Sequence, residues 1–283
     1  MTVSKAAAIG IFDSGVGGLS VLRAIRQELP AQPVIYIGDQ YHVPYGQRSL
    51  EEVRKFSTEV TKFLLARGAK LIVVACNTAS AAALHSLRAE FPDVPFVGME
   101  PAVKPAAEQT HTGIVGVLAT YATFQGELYA SVVERFAHGV TLLQDPCIGL
   151  VDQIEKGNLS GTETRKILKD ILNPMLARGI DTVVLGCTHY PFVIPLIQEI
   201  VGPDVRVIDP APAVARQTKR LLEEHGWLSQ ANEQAAVDYF TSGDQAAMQK
   251  LLPGFIGEEG IVKQANWKDG RLLADYLYPL EST

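Results

Sequence analysis

Two apolar runs of this chain end in a cysteine and then in small polar residues. LIVVAC leads into Asn77-Thr78, and VVLGC leads into Thr188-His189. A short, unbroken apolar run bounded by polar residues reads as a strand buried on both faces. Such strands belong to parallel sheets covered by helices. One cysteine at the end of one run is by itself a small buried hydrophobe. Two cysteines at the same place in two runs, 111 residues apart, ask for more than packing.

The surroundings of the two runs predict the same architecture. Strand-like AAAIGIF (6–12), PVIYIGD (33–39) and PFVGME (95–100) alternate with helical patterns over 19–29, 49–68 and 78–91. The pattern restarts with GIVGVLAT (113–120), a helix over 123–136, another over 162–179, and the strand within DTVVLGCTHYP (181–191). Gly68 and Gly179 both follow Ala-Arg, where a glycine stops a helix. Aligning Gly10 with Gly116 gives an offset of 106, close to that of the cysteines. The fold class is therefore α/β: two pseudo-symmetric parallel-sheet domains with helices on both faces and the active site in the cleft between them. VIDPAPAVARQ (207–217) reads as the crossing back to the first half. A helix over 213–225, a strand over 237–244 and a helix over 245–252 are expected to pack there. The first domain is thus expected to be discontinuous, 1–100 plus 211–283, with 101–210 as the second.

Composition narrows the function. Hydrophobic residues make up 47% of the chain and charged residues 20%, which is ordinary for a globular protein. The net charge of −6 supplies no basic field for a phosphate backbone, so nucleic acid is not an expected ligand. No apolar run approaches the roughly 18–20 residues of a membrane span, and MTVSKAAAIGIFDSG does not read as a signal peptide. Three cysteines, Cys76, Cys147 and Cys187, argue against a disulfide framework and for free thiols in a reducing cytoplasm.

Ligands of open parallel sheets bind outside the carboxyl ends of the strands. Four such ends carry polar or reactive groups here: Asp13-Ser14-Gly15, Cys76-Asn77-Thr78, Thr120 with Thr123, and Cys187-Thr188-His189. If the halves face each other, two thiols approach one ligand from opposite sides. That suits racemisation or epimerisation, in which one face of a carbon loses a proton and the other gains one. A free thiol has a pKa of about 8.5, so both of its forms lie within reach near neutrality. Asp13 and His189 are the natural helpers, one beside each thiol. Hydroxyls, the Asn77 amide and helix N-termini are the available donors to an anionic ligand. The motifs hold no arginine, and Arg48 reads as a solvated residue. The expected ligand is a carboxylate held by neutral donors.

Other readings explain less. DSGVGG could pass for a dinucleotide loop with Asp39 as its ribose acid, but Ser20 stands where that fingerprint needs glycine. Cys187 and His189 with Cys76 and Asp13 suit zinc by type, without the paired spacing of structural sites. A cysteine hydrolase needs one thiol, which leaves the second without a role. Cys147 reads as packing. His42, His85, His111, His138 and His225 read as loop or helix residues, and Glu155, on a helical stretch, as a surface residue.

IGIFDSGVGGLSVL, GDQYHVPYGQRS, ACNTASA, VGMEPAVKPA, GVLATYAT, LGCTHYPF and YFTSGD together resemble the cofactor-independent aspartate/glutamate racemases, in particular the glutamate racemases. The resemblance spans nearly the whole chain. It implies interconversion of L- and D-glutamate without a cofactor or metal, supplying D-glutamate for peptidoglycan. It implies that Cys76 and Cys187 are the catalytic bases, assisted by Asp13 and His189. Ser14, Pro44, Tyr45, Gly46, Asn77, Thr78, Thr120, Thr123 and Thr188 are implied to contact substrate, and Glu155 to support the histidine side. The chain departs from the family pattern in its Cys147-Ile-Gly-Leu-Val-Asp-Gln-Ile-Glu155 stretch, where many relatives carry Cys-Pro and a Pro-Leu-Val-Glu run. Two alternatives follow from the same resemblance: another acidic amino acid such as aspartate as substrate, or an added protein-interaction role with DNA gyrase. A homodimer is the candidate assembly.

Overall fold

The computed structural model describes residues 7–274. Ala6 of the expected first strand, and the two outer ends of the expected first domain, lie outside the described residues. The chain begins β1 (Ala8–Asp13), α1 (Leu19–Glu28), β2 (Val34–Gly38), α2 (Leu50–Ala66), β3 (Ala69–Val74), α3 (Asn77–Glu90) and β4 (Phe96–Val97). It continues through α4 (Val103–Gln109), β5 (Ile114–Ala119), α5 (Tyr121–Gln125), α6 (Glu127–Phe136), β6 (Thr141–Asp145), α7 (Leu150–Glu155), α8 (Thr162–Ala177), β7 (Thr182–Gly186), α9 (Ile194–Val201) and β8 (Arg206–Ile208). Then come α10 (Ala211–Glu224), β9 (Val237–Thr241), α11 (Gln245–Ile256), β10 (Val262–Lys268) and β11 (Arg271–Ala274).

The strands form two sheets. The first is seven-stranded, in the order β11-β10-β9-β2-β1-β3-β4, and the second four-stranded, in the order β6-β5-β7-β8. Stripped of its C-terminal extension, the first sheet has the order 2-1-3-4, and the second repeats it as 6-5-7-8. β1 corresponds to β5 and β3 to β7, as the two sequence offsets require. Every pairing is parallel except that of β10 with β11. The wholly parallel sheet expected from the apolar runs is thus corrected at one edge. There Asp269 and Gly270, both at positive φ, close a two-residue hairpin turn of the kind Asp-Gly favours.

Alternation along the first sheet divides its core. Ile9, Ile11, Tyr36, Leu71 and Val73 face one side with α1, α10 and α11, while Phe12, Ile35, Ile37, Ile72 and Val74 face α2 and α3. Side chains of a strand point alternately to the two faces, so apolar residues at every position demand cover on both. Each fully buried aliphatic side chain contributes about 1.5–3 kcal/mol by leaving water. The first of these clusters runs on through Leu118, Val183 and Leu185 of the second sheet, so the two lobes share a core beneath the cleft.

Local signals set the element ends. Ser49 caps α2 and is met by Glu52 in a reciprocal capping box. Gly68 and Gly179, both at positive φ, stop α2 and α8 as expected. The single helix expected over 123–136 is instead split into α5 and α6 at Gly126, whose Cα packs on Ala81 of α3 too closely for a side chain. The expected crossing at 207–217 is shorter than the sequence suggested. Pro210 caps α10, so the chain is helical again from Ala211. β9 ends at Thr241 and pairs with β2, returning the C-terminal segment to the first sheet.

Candidate active site

The carboxyl ends of β1, β3, β5 and β7 meet at an enclosed cavity between the lobes. Cys76 and Cys187, one from each sheet, both line it. Ser14, Asn77, Thr78 and Thr120 line it as well, as do Thr188 and His189. The loop after β2 adds Pro44, Tyr45 and Gly46, and α7 adds Val151. Asp13 and Thr123 are not part of this lining. They sit directly behind it and bond to residues that are.

Cys76 ends β3 and caps α3, its sulfur accepting from the Ala79 N–H at 3.4 Å. Its other neighbour is Ser14 Oγ at 4.0 Å. Burial, and then the Asp13 charge, hold the Cys76 thiol well above its usual pKa, against the pull of the Ala79 N–H. Asp13 stands beside Cys76, as the strand order led one to expect, but its carboxylate oxygens bond elsewhere. Its Oδ2 accepts from the Gly15 N–H at 2.9 Å, and its Oδ1 accepts from Thr188 Oγ1 of the other lobe at 3.1 Å. It therefore acts on Cys76 through space. Burial raises the Asp13 pKa, opposed by the nearby His189 and the Gly15 N–H.

Cys187 has different company. His189 Nδ1 lies 3.7 Å from its sulfur, and His189 Nε2 lies 2.6 Å from Glu155 Oε1. Burial alone would lower the histidine pKa. Hydrogen bonds to Cys187 and Glu155 outweigh it and hold His189 well above the ordinary value. Burial likewise works to raise the Glu155 pKa, but bonds from His189, the Val16 N–H and Gln40 leave it below normal. Glu155 is only 13% exposed, which corrects its reading as a surface residue. The carboxylate also joins the lobes, accepting from the Val16 N–H at 2.8 Å and from Gln40 Nε2 at 2.9 Å.

The glycines of DSGVGG have a structural purpose other than cradling a phosphate. A Cβ on Gly15 would overlap Glu155 Oε1, and one on Gly17 would overlap His189 Nδ1. On Gly18 it would lie 2.6 Å from the Asp13 Cβ. Gly15 and Gly17 thus leave room for Glu155 and His189 of the other lobe, and Gly18 for Asp13 of its own.

The polar donors are also arranged across the cleft. Thr78 Oγ1 is 2.9 Å from Thr120 Oγ1 and 3.5 Å from Thr123 Oγ1, linking α3 to the start of α5. Neither side-chain atom of buried Asn77 has a protein partner. A buried amide of this kind needs a partner, which a ligand or an ordered water can supply. Among the described residues no lysine or arginine lines the cavity, so an anion placed there would have to be met by hydroxyls, amides and His189. Among the described residues, no three His, Cys, Asp or Glu side chains are grouped to hold a metal ion. Arg48 is half-buried and donates to the His42 carbonyl, away from this lining. Cys147 is buried and turned to the Asp145 carbonyl, in keeping with packing.

Sequence reasoning did not find Val16, Gln40 or Val151. Val151 stands four residues before Glu155, on the same face of α7, so the helical period held that signal. The Val16 contact is through a main-chain N–H, which carries no residue-type signature.

Fold and site define a two-lobed α/β protein with a thiol from each lobe lining one cavity. The chain belongs to the Asp/Glu/Hydantoin racemase family, whose model matches residues 9–218. It is 50% identical over 256 residues to the glutamate racemase of Ectopseudomonas mendocina, covering 90% of this chain and 97% of that one. A glutamate racemase isoform from Bacillus anthracis superposes with a TM-score of 0.82 at 32% identity, covering 95% of this chain and all of that one. The Escherichia coli glutamate racemase, in complex with L-glutamate and the activator UDP-MurNAc-Ala, superposes with a TM-score of 0.81 at 33% identity over 92% of this chain and 98% of that one. No helix among the described residues is long and apolar enough to cross a membrane.

Proposed function

We propose that this chain is a glutamate racemase, interconverting L- and D-glutamate by a two-base mechanism and so supplying D-glutamate for peptidoglycan. The observation that carries this reading is the pair of thiols at equivalent strand ends of two sheets with the same order, lining one cavity. One thiolate removes the α-proton, leaving the electron pair on Cα. The thiol of the other lobe then delivers its proton to the opposite face, and the two sulfurs exchange roles. The α-proton of an amino acid is only feebly acidic, so the closed cavity must stabilise the developing charge. Asn77, Thr78, Thr120 and Thr188 are the donors suited to that charge. His189, its pKa raised by its bonds to Cys187 and Glu155, is placed to exchange a proton with Cys187. Ser14 and Asp13 serve Cys76 in the corresponding place. The working units are taken to be 1–100 with 211–283 and 101–210, closing on each other across the substrate.

The test is to incubate the pure protein with L-glutamate or L-aspartate, with chelator present and no cofactor added, and to follow optical rotation. Loss of rotation with glutamate supports the reading. Loss with aspartate alone would make the chain an aspartate racemase, and loss with neither would end the proposal.

A further inference from the structure

The loop between β2 and α2 walls the cleft with Pro44, Tyr45 and Gly46. Gly46 packs against the second lobe, and a Cβ there would lie 2.8 Å from the Thr120 Cβ. The placement of this wall depends on a residue that does not line the cavity. Asp39 is wholly buried. Its Oδ2 accepts from the Tyr45 hydroxyl at 2.6 Å and lies 2.8 Å from His42 Nδ1. Its Oδ1 accepts from Ser242 Oγ at 2.6 Å and from Trp267 Nε1 at 2.6 Å. A buried carboxylate is tolerated only when its lone pairs are met, and here four partners from three stretches of chain meet them. Burial, and then Asp39, push the Tyr45 phenol well above its usual pKa, so it remains a donor. The indole that holds the far side of Asp39 is itself packed edge-on to His42, with ring centroids 4.8 Å apart, and His42 stacks on Phe56 at 3.7 Å. Asp39 thus connects β10, in the sheet extension that the second lobe lacks, to the wall of the substrate cavity.

We propose that Asp39 and Trp267 are positioning residues for amino-acid binding: Asp39 clamps Tyr45, Trp267 clamps Asp39, and together they hold the Pro44–Gly46 wall in its binding position. This rests on the racemase reading and adds a dependence on the C-terminal strands. Because the wall binds substrate before and during proton transfer alike, its loosening acts on KM more than on kcat.

Steady-state kinetics with both glutamate enantiomers test this. Asp39→Asn keeps the shape and loses acceptor capacity. Its KM is expected to rise about tenfold, with kcat within about threefold of wild type. Trp267→Phe removes only the indole donor and raises KM by about threefold. Combining Asp39→Asn with Tyr45→Phe adds little to the worse single variant, since both break one contact. Trp227→Phe leaves Trp267 as the single tryptophan of the chain. In that background saturating glutamate changes the emission, and adding Asp39→Asn abolishes the change. If Asp39→Asn does not fold, Trp267→Phe decides. Wild-type KM values in the folded variants, or losses confined to kcat, overturn the inference while wild-type turnover stands. An inactive wild type instead strikes the racemase reading. If only aspartate is turned over, the same kinetics and emission are read with aspartate.

Discussion

The two lobes share a strand order and differ in what they place at the ends of equivalent strands. β3 delivers Cys76 directly onto the N-terminus of the long helix α3, next to Ser14 and within the field of a buried acid. β7 delivers Cys187 into a short 3-10 turn, beside a histidine whose pKa is raised by its bonds to Cys187 and Glu155. A repeated backbone therefore brings two chemically alike groups to one cavity, and non-repeated residues give each its own neighbours. The lobes differ again at their edges, because only the first sheet carries β9, β10 and β11.

The largest effects should come from the thiols themselves. Cys76→Ala and Cys187→Ala should each lower kcat by about 10²–10⁴-fold or more, the usual worth of a positioned acid or base. Cys147→Ala should stay within about threefold of wild type, since that thiol is buried away from the cavity lining. In heavy water, D-glutamate formed from L-glutamate should carry solvent deuterium at Cα, with far less in the remaining L-glutamate at early times. Equal early labelling of both would replace the two-base mechanism with a single exchanging base.

The next comparison concerns the helpers. Glu155→Gln keeps the shape and removes a charge that helps to raise the His189 pKa, so turnover should fall by about 10²-fold. The alkaline limb of the pH–rate profile should move to lower pH, because the His189 pKa falls once its carboxylate partner is gone. Asp13→Asn should lower activity without moving that limb in this direction. The same pair has a stability signature. His189 is raised in the folded state, so its contribution is complete below about pH 6.5 and is lost as pH rises through its elevated folded value. Glu155 is lowered, so its contribution is present above about pH 4.3 and is lost on acidification through its depressed folded value. Urea denaturation of wild type and Glu155→Gln across this range should show both dependences weakened in the variant.

Gly17→Ala tests the close approach of the lobes. Its Cβ must displace His189, and a misplacement of that size should cost about 10²-fold in kcat/KM, with the circular dichroism of the folded chain retained. The smallest expected effect compares the repeat with itself. A Cβ on Gly10 of β1 would lie 2.8 Å from the Ile72 Cδ1 and 2.9 Å from the Ala69 Cβ, whereas on Gly116 of β5 it would meet the flexible Met175 sulfur at 3.0 Å. Gly10→Ala should therefore destabilise the chain by about 1–3 kcal/mol in denaturant titration, and Gly116→Ala by less. Equal losses would mean that the two strands are packed alike.

Apolar runs and their spacing were enough to read the alternating α/β pattern, the two sheets and the paired thiols. Burial on both faces demands a continuous apolar strand, and a repeat preserves what the backbone needs. The ends of α2 and α8 were legible through Gly68 and Gly179, whose conformation is a local property. Asp269-Gly270 is an equally local signal for the β10–β11 hairpin. Other features were not local. Glu155 looks like any acid on a helix until Val16, Gln40 and His189 converge on it from three other segments. DSGVGG looks like a phosphate loop until the second lobe fills the space above Gly15 and Gly17. Asp39 could be taken for a strand-end acid, and only the return of the C-terminal strands to the first sheet surrounds it with Ser242 and Trp267. The sequence by itself determined which elements form and which groups stand at their ends, because those follow from periodicity and residue type. The tertiary structure alone decided which group acts on which, because burial, charge and hydrogen-bond reach depend also on neighbours that the chain brings together from distant segments, as with Thr188 and Asp13 or Trp267 and Asp39.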